Sequence, residues 1–309
     1  MILNTGCRTD IPAYYSEWFY NRIRAGYVLT RNPYRPEQAL KYRLDPEVVD
    51  ALCFCTKNPQ PMLSRLSELS AFRQFWFVTV TPYGKEIEPF VPEKQQVLES
   101  VRQLSAQIGA KAVGWRYDPV FITAKYSPEY HLRSFEKMAA ALSGYVSSCV
   151  VSFIDLYEKT KRNFPQVRTV AFEEQKRLVQ AFAAIGRQYG IPLRTCCENA
   201  ALAQYGADVS GCMTREVLEA ALNCRLDVPK SKKSPRAQCD CLLGADIGMY
   251  NTCPHGCVYC YANSDRRAVE QNRKQHDPAS PLLIGHLHEG DQILEARQES
   301  YVSDQISMF

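Results

Sequence analysis

Phe75-Trp76-Phe77-Val78-Thr79-Val80-Thr81-Pro82 is an apolar run, rich in aromatic and β-branched residues, that turns polar and then meets a proline. A run of this kind reads as a strand with polar chemistry at its C-terminal end. Shorter or similar runs occupy residues 2–3, 27–29, 51–55, 112–115, 149–154 and 191–194. Between them, apolar residues recur with helical spacing over 14–25, 62–70, 93–108, 128–142, 172–189 and 214–223. Pro92 and Glu93 suit a first helical turn, where a missing N–H costs little and negative charge complements the dipole; Gly109 and Gly190 stand where helices should end. Strands alternating with helices predict parallel βαβ units. The fold expected is α/β, a TIM-like or partial (β/α) barrel rather than a doubly wound sheet.

In such a barrel the loops after the strands form the reactive face. The strand ends are Thr56-Lys57-Asn58-Pro59, Thr79-Val80-Thr81-Pro82, Arg116-Tyr117-Asp118-Pro119 and Ser152-Phe153-Ile154-Asp155. Lys57, Asn58, Thr79, Thr81, Arg116, Asp118, Ser152 and Asp155 are therefore candidates to line a cofactor or substrate site. Arg116 and Lys57 suit a carboxylate or phosphate. The alternative is turn chemistry, because Asn-Pro and Asp-Pro commonly open loops.

The chain has 309 residues, 46% hydrophobic and 23% charged, which excludes a disordered, collagen-like or coiled-coil protein. No stretch approaches the ~18–20 apolar residues of a membrane span. The net charge of +4 is too mild to argue for nucleic acid. The unusual figure is 13 cysteines, an odd number, behind an N-terminal stretch unlike a secretory signal. Metal or redox chemistry in a reducing, cytoplasmic setting is expected rather than a disulfide framework. Residues 1–224 read as a β/α body, 225–238 as a basic loop or linker, and 239–309 as a cysteine segment completing the same barrel.

Within that segment lies Tyr250-Asn251-Thr252-Cys253-Pro254-His255-Gly256-Cys257-Val258-Tyr259-Cys260-Tyr261-Ala262. Three thiolates spaced C-x3-C-x2-C on one loop can hold three irons of a [4Fe–4S] cluster and leave the fourth open for chemistry. Pro254 and Gly256 suit a tight loop around such a group. The competing reading is a structural zinc ion, completed by His255 or by Cys239 and Cys241.

The spacing and the aromatic Tyr259 resemble the radical S-adenosylmethionine (SAM) superfamily, and the segment 257–262 resembles its spore photoproduct lyase branch. Most of the chain is similar to a bacterial family, DUF1848, which carries a Tyr-Asn-x-Cys-x-His-Gly-Cys-x-Tyr-Cys-Tyr-Ala segment near its C-terminus. The resemblance implies that the open iron binds the amino and carboxylate groups of SAM, with Tyr259 near the adenine. An electron from a low-potential donor would then release methionine and a 5′-deoxyadenosyl radical, which attacks an unknown substrate. In the superfamily the cluster loop follows the first strand; here it lies near the C-terminus, so the resemblance implies a circularly permuted barrel. It also points to Cys196-Cys197-Glu198 and Gly211-Cys212, so Cys196, Cys212, Cys239 and Cys241 are candidate ligands of an auxiliary iron–sulfur cluster or a zinc ion. Cys7, Cys53, Cys55, Cys149 and Cys224 read as small buried hydrophobes. Two other functions stay open. One is a nucleic-acid repair or modification enzyme, suggested by the lyase-like segment and the basic run 230–236; the other is a non-enzymatic zinc- or cluster-binding protein.

Overall fold

The computed structural model describes residues 1–32, 34–229, 240–242 and 244–303. Its strands are β1 (Ile2–Asn4), β2 (Tyr27–Asn32), β3 (Arg35–Arg43), β4 (Ala51–Thr56), β5 (Gln74–Thr79), β6 (Val113–Val120), β7 (Cys149–Phe153), β8 (Leu193–Thr195), β9 (Ala245–Asp246) and β10 (Gln292–Glu295). Seven form one parallel sheet in the order β8-β7-β6-β5-β4-β1-β9. The strand that follows most of the chain, β9, thus lies beside β1, with Leu3 opposite Ala245 and Asn4 opposite Asp246.

The parallel α/β expectation holds, but the sheet is not a closed barrel. Its edges are β8, of three residues, and β9, of two, and they do not pair with each other. Side chains alternate between the two faces, as a strand requires. Trp76 and Val78 enter a large core with Trp115, Phe135 and Phe182, beneath the long helices. Phe75 and Phe77 enter a smaller core with Ile2, Ala51 and Cys53, where Leu218 and Leu222 of the helix Arg215–Leu222 cover the opposite face. That helix packs the face a barrel would curl around, so the sheet is covered on both sides without closing.

Local signals explain the long helices. Lys94–Ile108 follows Glu93 and buries Val97, Val101 and Leu104 at helical spacing, then stops at Gly109, whose φ of 87° suits glycine. Pro128–Leu142 begins with Pro128 behind Ser127, whose hydroxyl accepts from Tyr130 N. The 62–70 expectation resolves into two short pieces, Gln60–Leu63 and Leu66–Leu69. The 27–29 run departs further: β2 pairs antiparallel with β3 and, through it, β10 forms a separate three-stranded sheet. Among the described residues no helix is long and apolar enough to cross a membrane.

Candidate active site at the strand ends

Period-two alternation decides which predicted residues meet. Thr79, Arg116, Asp118 and Ser152 lie on the face that carries Phe77 and Val150. Arg116 lies over the Phe77 ring, 5.3 Å from its centroid, and its Nε donates to Asp118 at 3.1 Å. The Ser152 hydroxyl donates to the other Asp118 oxygen. Thr79 hydrogen-bonds the Cys55 thiol. Asp155 is exposed and accepts from the Tyr157 hydroxyl at 3.2 Å. Asn58 shapes a turn instead, accepting from Gln60 N at 3.2 Å ahead of the short helix Gln60–Leu63.

The cysteine loop follows β9 and is anchored to distant strand ends. Asp10 accepts from Thr56 Oγ1 at 2.6 Å, from Lys57 N at 2.8 Å and from Ala13 N at 3.1 Å. His255 Nε2 donates to Asp10 at 2.8 Å, which leaves Nδ1 to accept from the Tyr14 hydroxyl at 2.9 Å. Both ring nitrogens of His255 are therefore engaged within the protein. Gly256 next to it has φ of 71°, and a Cβ there would stand 3.1 Å from the Phe90 ring. Two backbone bonds dock the loop on the 84–91 turn: Phe90 N to His255 O and Val258 N to Ile87 O, each 3.1 Å.

Behind the loop sits Glu88, 1% exposed. Its carboxylate accepts from Lys57 Nζ at 2.8 Å and Thr81 Oγ1 at 2.7 Å, and also from Lys94 Nζ and the Tyr259 hydroxyl. Burial opposes its charge, yet Lys57 and Lys94 hold it down at about 2. The ammonium of Lys57 lies 5.6 Å from the Tyr259 ring centroid. Three of the positions singled out from the sequence meet at Glu88, namely Lys57, Thr81 and Tyr259, and Cys257 lies close enough to feel the charge of Lys57.

Burial raises the thiols of Cys253, Cys257 and Cys260, that of Cys257 to about 12 despite the opposing charge of Lys57. The neighbouring thiols add to this, Cys260 and Cys257 raising Cys253, and Cys260 raising Cys257. Peptide N–H groups of Ala262 and Asn263 point at Cys260 Sγ and favour its thiolate. This donor set fits an iron–sulfur group: buried thiols that ionise when a cation arrives, with peptide donors ready for the sulfur. Among the described residues no three His, Cys, Asp or Glu side chains are already set in a metal-holding array.

A second thiol group lies beside Arg116. Cys212 Sγ and Cys241 Sγ are 3.5 Å apart, and Cys241 Sγ accepts from the N–H groups of Cys212 and Met213, both at 3.2 Å. Arg116 Nη1 reaches Cys212 Sγ at 3.6 Å. Hydrogen bonds from Cys197 and Cys212, with Arg116 behind, hold the Cys196 thiol well below its usual range. A Cβ at Gly211, whose φ is 128°, would stand 2.9 Å from Cys241 Sγ. Cys239 and the basic run 230–236 lie outside the described residues. Cys53 and Cys149 are buried as expected, but Cys7 is exposed and Cys55 and Cys224 are half-buried.

The residues that sequence reading missed are Asp10, Tyr14, Glu88 and Lys94, and Glu198, quoted there with Cys196, was given no role. Glu198 Oε1 accepts from Phe153 N at 2.7 Å, and burial, with Asp155 and Asp118 nearby, pushes it up to about 8. The family model for DUF1848, a domain of unknown function, matches residues 2–262, from β1 through the cysteine loop. The chain belongs to this family. No curated protein matches it. The matched DUF1848 region thus holds both thiol groups and the carboxylates that anchor the loop.

Proposed function

We infer that this DUF1848 protein is a cytoplasmic radical SAM-like enzyme, with Cys253, Cys257 and Cys260 holding a [4Fe–4S] cluster. The observation that carries the reading is the loop itself: three thiols within eight residues, with peptide donors on Cys260, seated where polar strand ends converge. Such a cluster, when bound, supplies a low-potential electron and an open iron for the amino and carboxylate groups of SAM. The chain's own residues do the rest. Asp10 and His255 fix the loop's middle, Glu88 fixes Tyr259, and the β9–β1 pairing places the loop at one edge of the sheet. That edge position supports the permuted order, with β9 as the first strand of the superfamily's series. The engagement of both His255 nitrogens, and the seating of Cys241 against Cys212, disfavour either residue as the fourth ligand of a zinc ion in this loop.

The second set supports a different group. Tetrahedral bonds of about 2.3 Å to zinc place sulfurs roughly 3.8 Å apart. The 3.5 Å between Cys212 and Cys241 is close to that edge, which favours one zinc ion over a cluster. Protein loaded anaerobically should contain iron, sulfide and zinc and release 5′-deoxyadenosine from SAM in the presence of dithionite. Cys257→Ala should lose the iron and the product, and Cys212→Ser only the zinc. Loaded wild-type protein that yields no 5′-deoxyadenosine overturns the enzyme reading.

A further inference from the structure

Besides anchoring Tyr259, Glu88 is a charge node. Buried itself, it receives two ammonium groups from the half-buried Lys57 and Lys94, so the cluster carries one net positive charge. The elements joined are the end of β4, the turn before the helix Lys94–Ile108, that helix itself and the cysteine loop. Lys57 is the member that faces the loop: it lies against the Tyr259 ring, and its charge acts on Cys257. Thr81 and Tyr259 donate to the same carboxylate oxygen as Lys57, so the ammonium is held in one place rather than left to swing toward solvent.

We propose that Lys57, held in place by Glu88, sets the reduction potential of the group bound at Cys253, Cys257 and Cys260. The inference rests on the reading that these cysteines hold an iron–sulfur cluster. One-electron reduction makes a thiolate-bound cluster one unit more negative, with no bond made or broken and no proton required. A fixed ammonium beside Cys257 stabilises the reduced state more than the oxidised one, because net charge and its placement are among the levers that set such potentials. Glu88 acts in two opposed ways. Its own charge offsets part of the positive field, and its hydrogen bonds keep Lys57 close. It is a positioning residue and Lys57 the group that acts.

The test is a redox titration, with dithionite as reductant, of cluster-loaded variants followed by electron paramagnetic resonance of the reduced cluster. Lys57→Met should shift the midpoint to a more negative potential. Glu88→Gln should shift it the other way, since both ammonium groups then act without a countercharge. The double variant Glu88→Gln/Lys94→Met restores one net positive charge and should return the midpoint toward wild type; it also keeps the test usable if Glu88→Gln alone does not fold. A charge effect predicts opposite signs, which simple loosening of the loop would not produce. Iron-loaded variants whose midpoints are unchanged, or move in the same direction, overturn this inference alone. Wild-type protein that takes up no iron and sulfide overturns the cluster reading, and this inference with it.

Discussion

Glu88 is buried and Glu198 half-buried, and their acidities differ by orders of magnitude. Glu88 stands among two lysines, a threonine and a tyrosine and is held at about 2. Glu198 has one peptide N–H from Phe153 and lies near Asp155, Asp118 and Cys196; burial and these negative neighbours push it up to about 8. The same side chain is thus a fixed anion beside the cysteine loop and a neutral acid beside the second thiol group at neutral pH. Desolvation acts in the same direction at both sites, and nearby charge reverses the outcome. The loop side can hold added negative charge; the side near Cys196 already carries its share.

The comparison breaks most visibly at Glu88. Glu88→Ala leaves Lys57 and Lys94, whose side chains are 13% and 27% exposed, without their countercharge, and a loss of about 3 kcal/mol in unfolding free energy, the low end for a broken buried pair, is expected from urea denaturation. A loss under about 1 kcal/mol would mean that the node is wetter than its 1% exposure suggests.

A smaller effect is expected at Glu198, and it has a sign in pH. Its folded pKa is raised above the ordinary 4.5, so its neutral form contributes stability fully below that value and loses it as pH rises through about 8. In metal-free protein, stability should fall between these limits, by about 2 kcal/mol after allowance for partial solvent screening. Glu198→Gln should flatten this slope. An identical pH profile in the variant would show that Glu198 titrates normally.

The smallest effect should come from Asp155→Asn. It removes one exposed negative neighbour, so the midpoint of the Glu198 transition should move slightly to lower pH, with under about 0.5 kcal/mol change in stability. Following the Glu198 carboxyl by NMR would register the direction; an upward shift would contradict the proposed role of Asp155.

Much of the scaffold was legible because its signals are local. The helix Pro128–Leu142 has the limits its sequence predicts, since a proline, a serine cap and an apolar stripe all lie within it or next to it. The cysteine loop was legible for the same reason. Its anchors were not: Asp10 meets His255 across 245 positions and Glu88 meets Tyr259 across 171. Neither acid carries a mark in its own neighbourhood that distinguishes it from a surface residue. Closure was equally out of reach, because whether seven parallel strands curl into a barrel depends on what packs the inner face. The helix Arg215–Leu222 takes that place, and its apolar stripe looks like that of any other helix.

By itself the sequence determined the parallel α/β class, the strand ends that carry polar chemistry and the grouping of three thiols on one loop, because each depends on spacing within a few turns or a single strand. Only the tertiary structure decided that the sheet stays open, that β9 lies beside β1, and that Glu88 and Glu198 take opposite charge states. Those outcomes depend on charges and packing surfaces brought together from distant parts of the chain, and in a buried site a neighbour a few ångströms away outweighs everything adjacent in sequence.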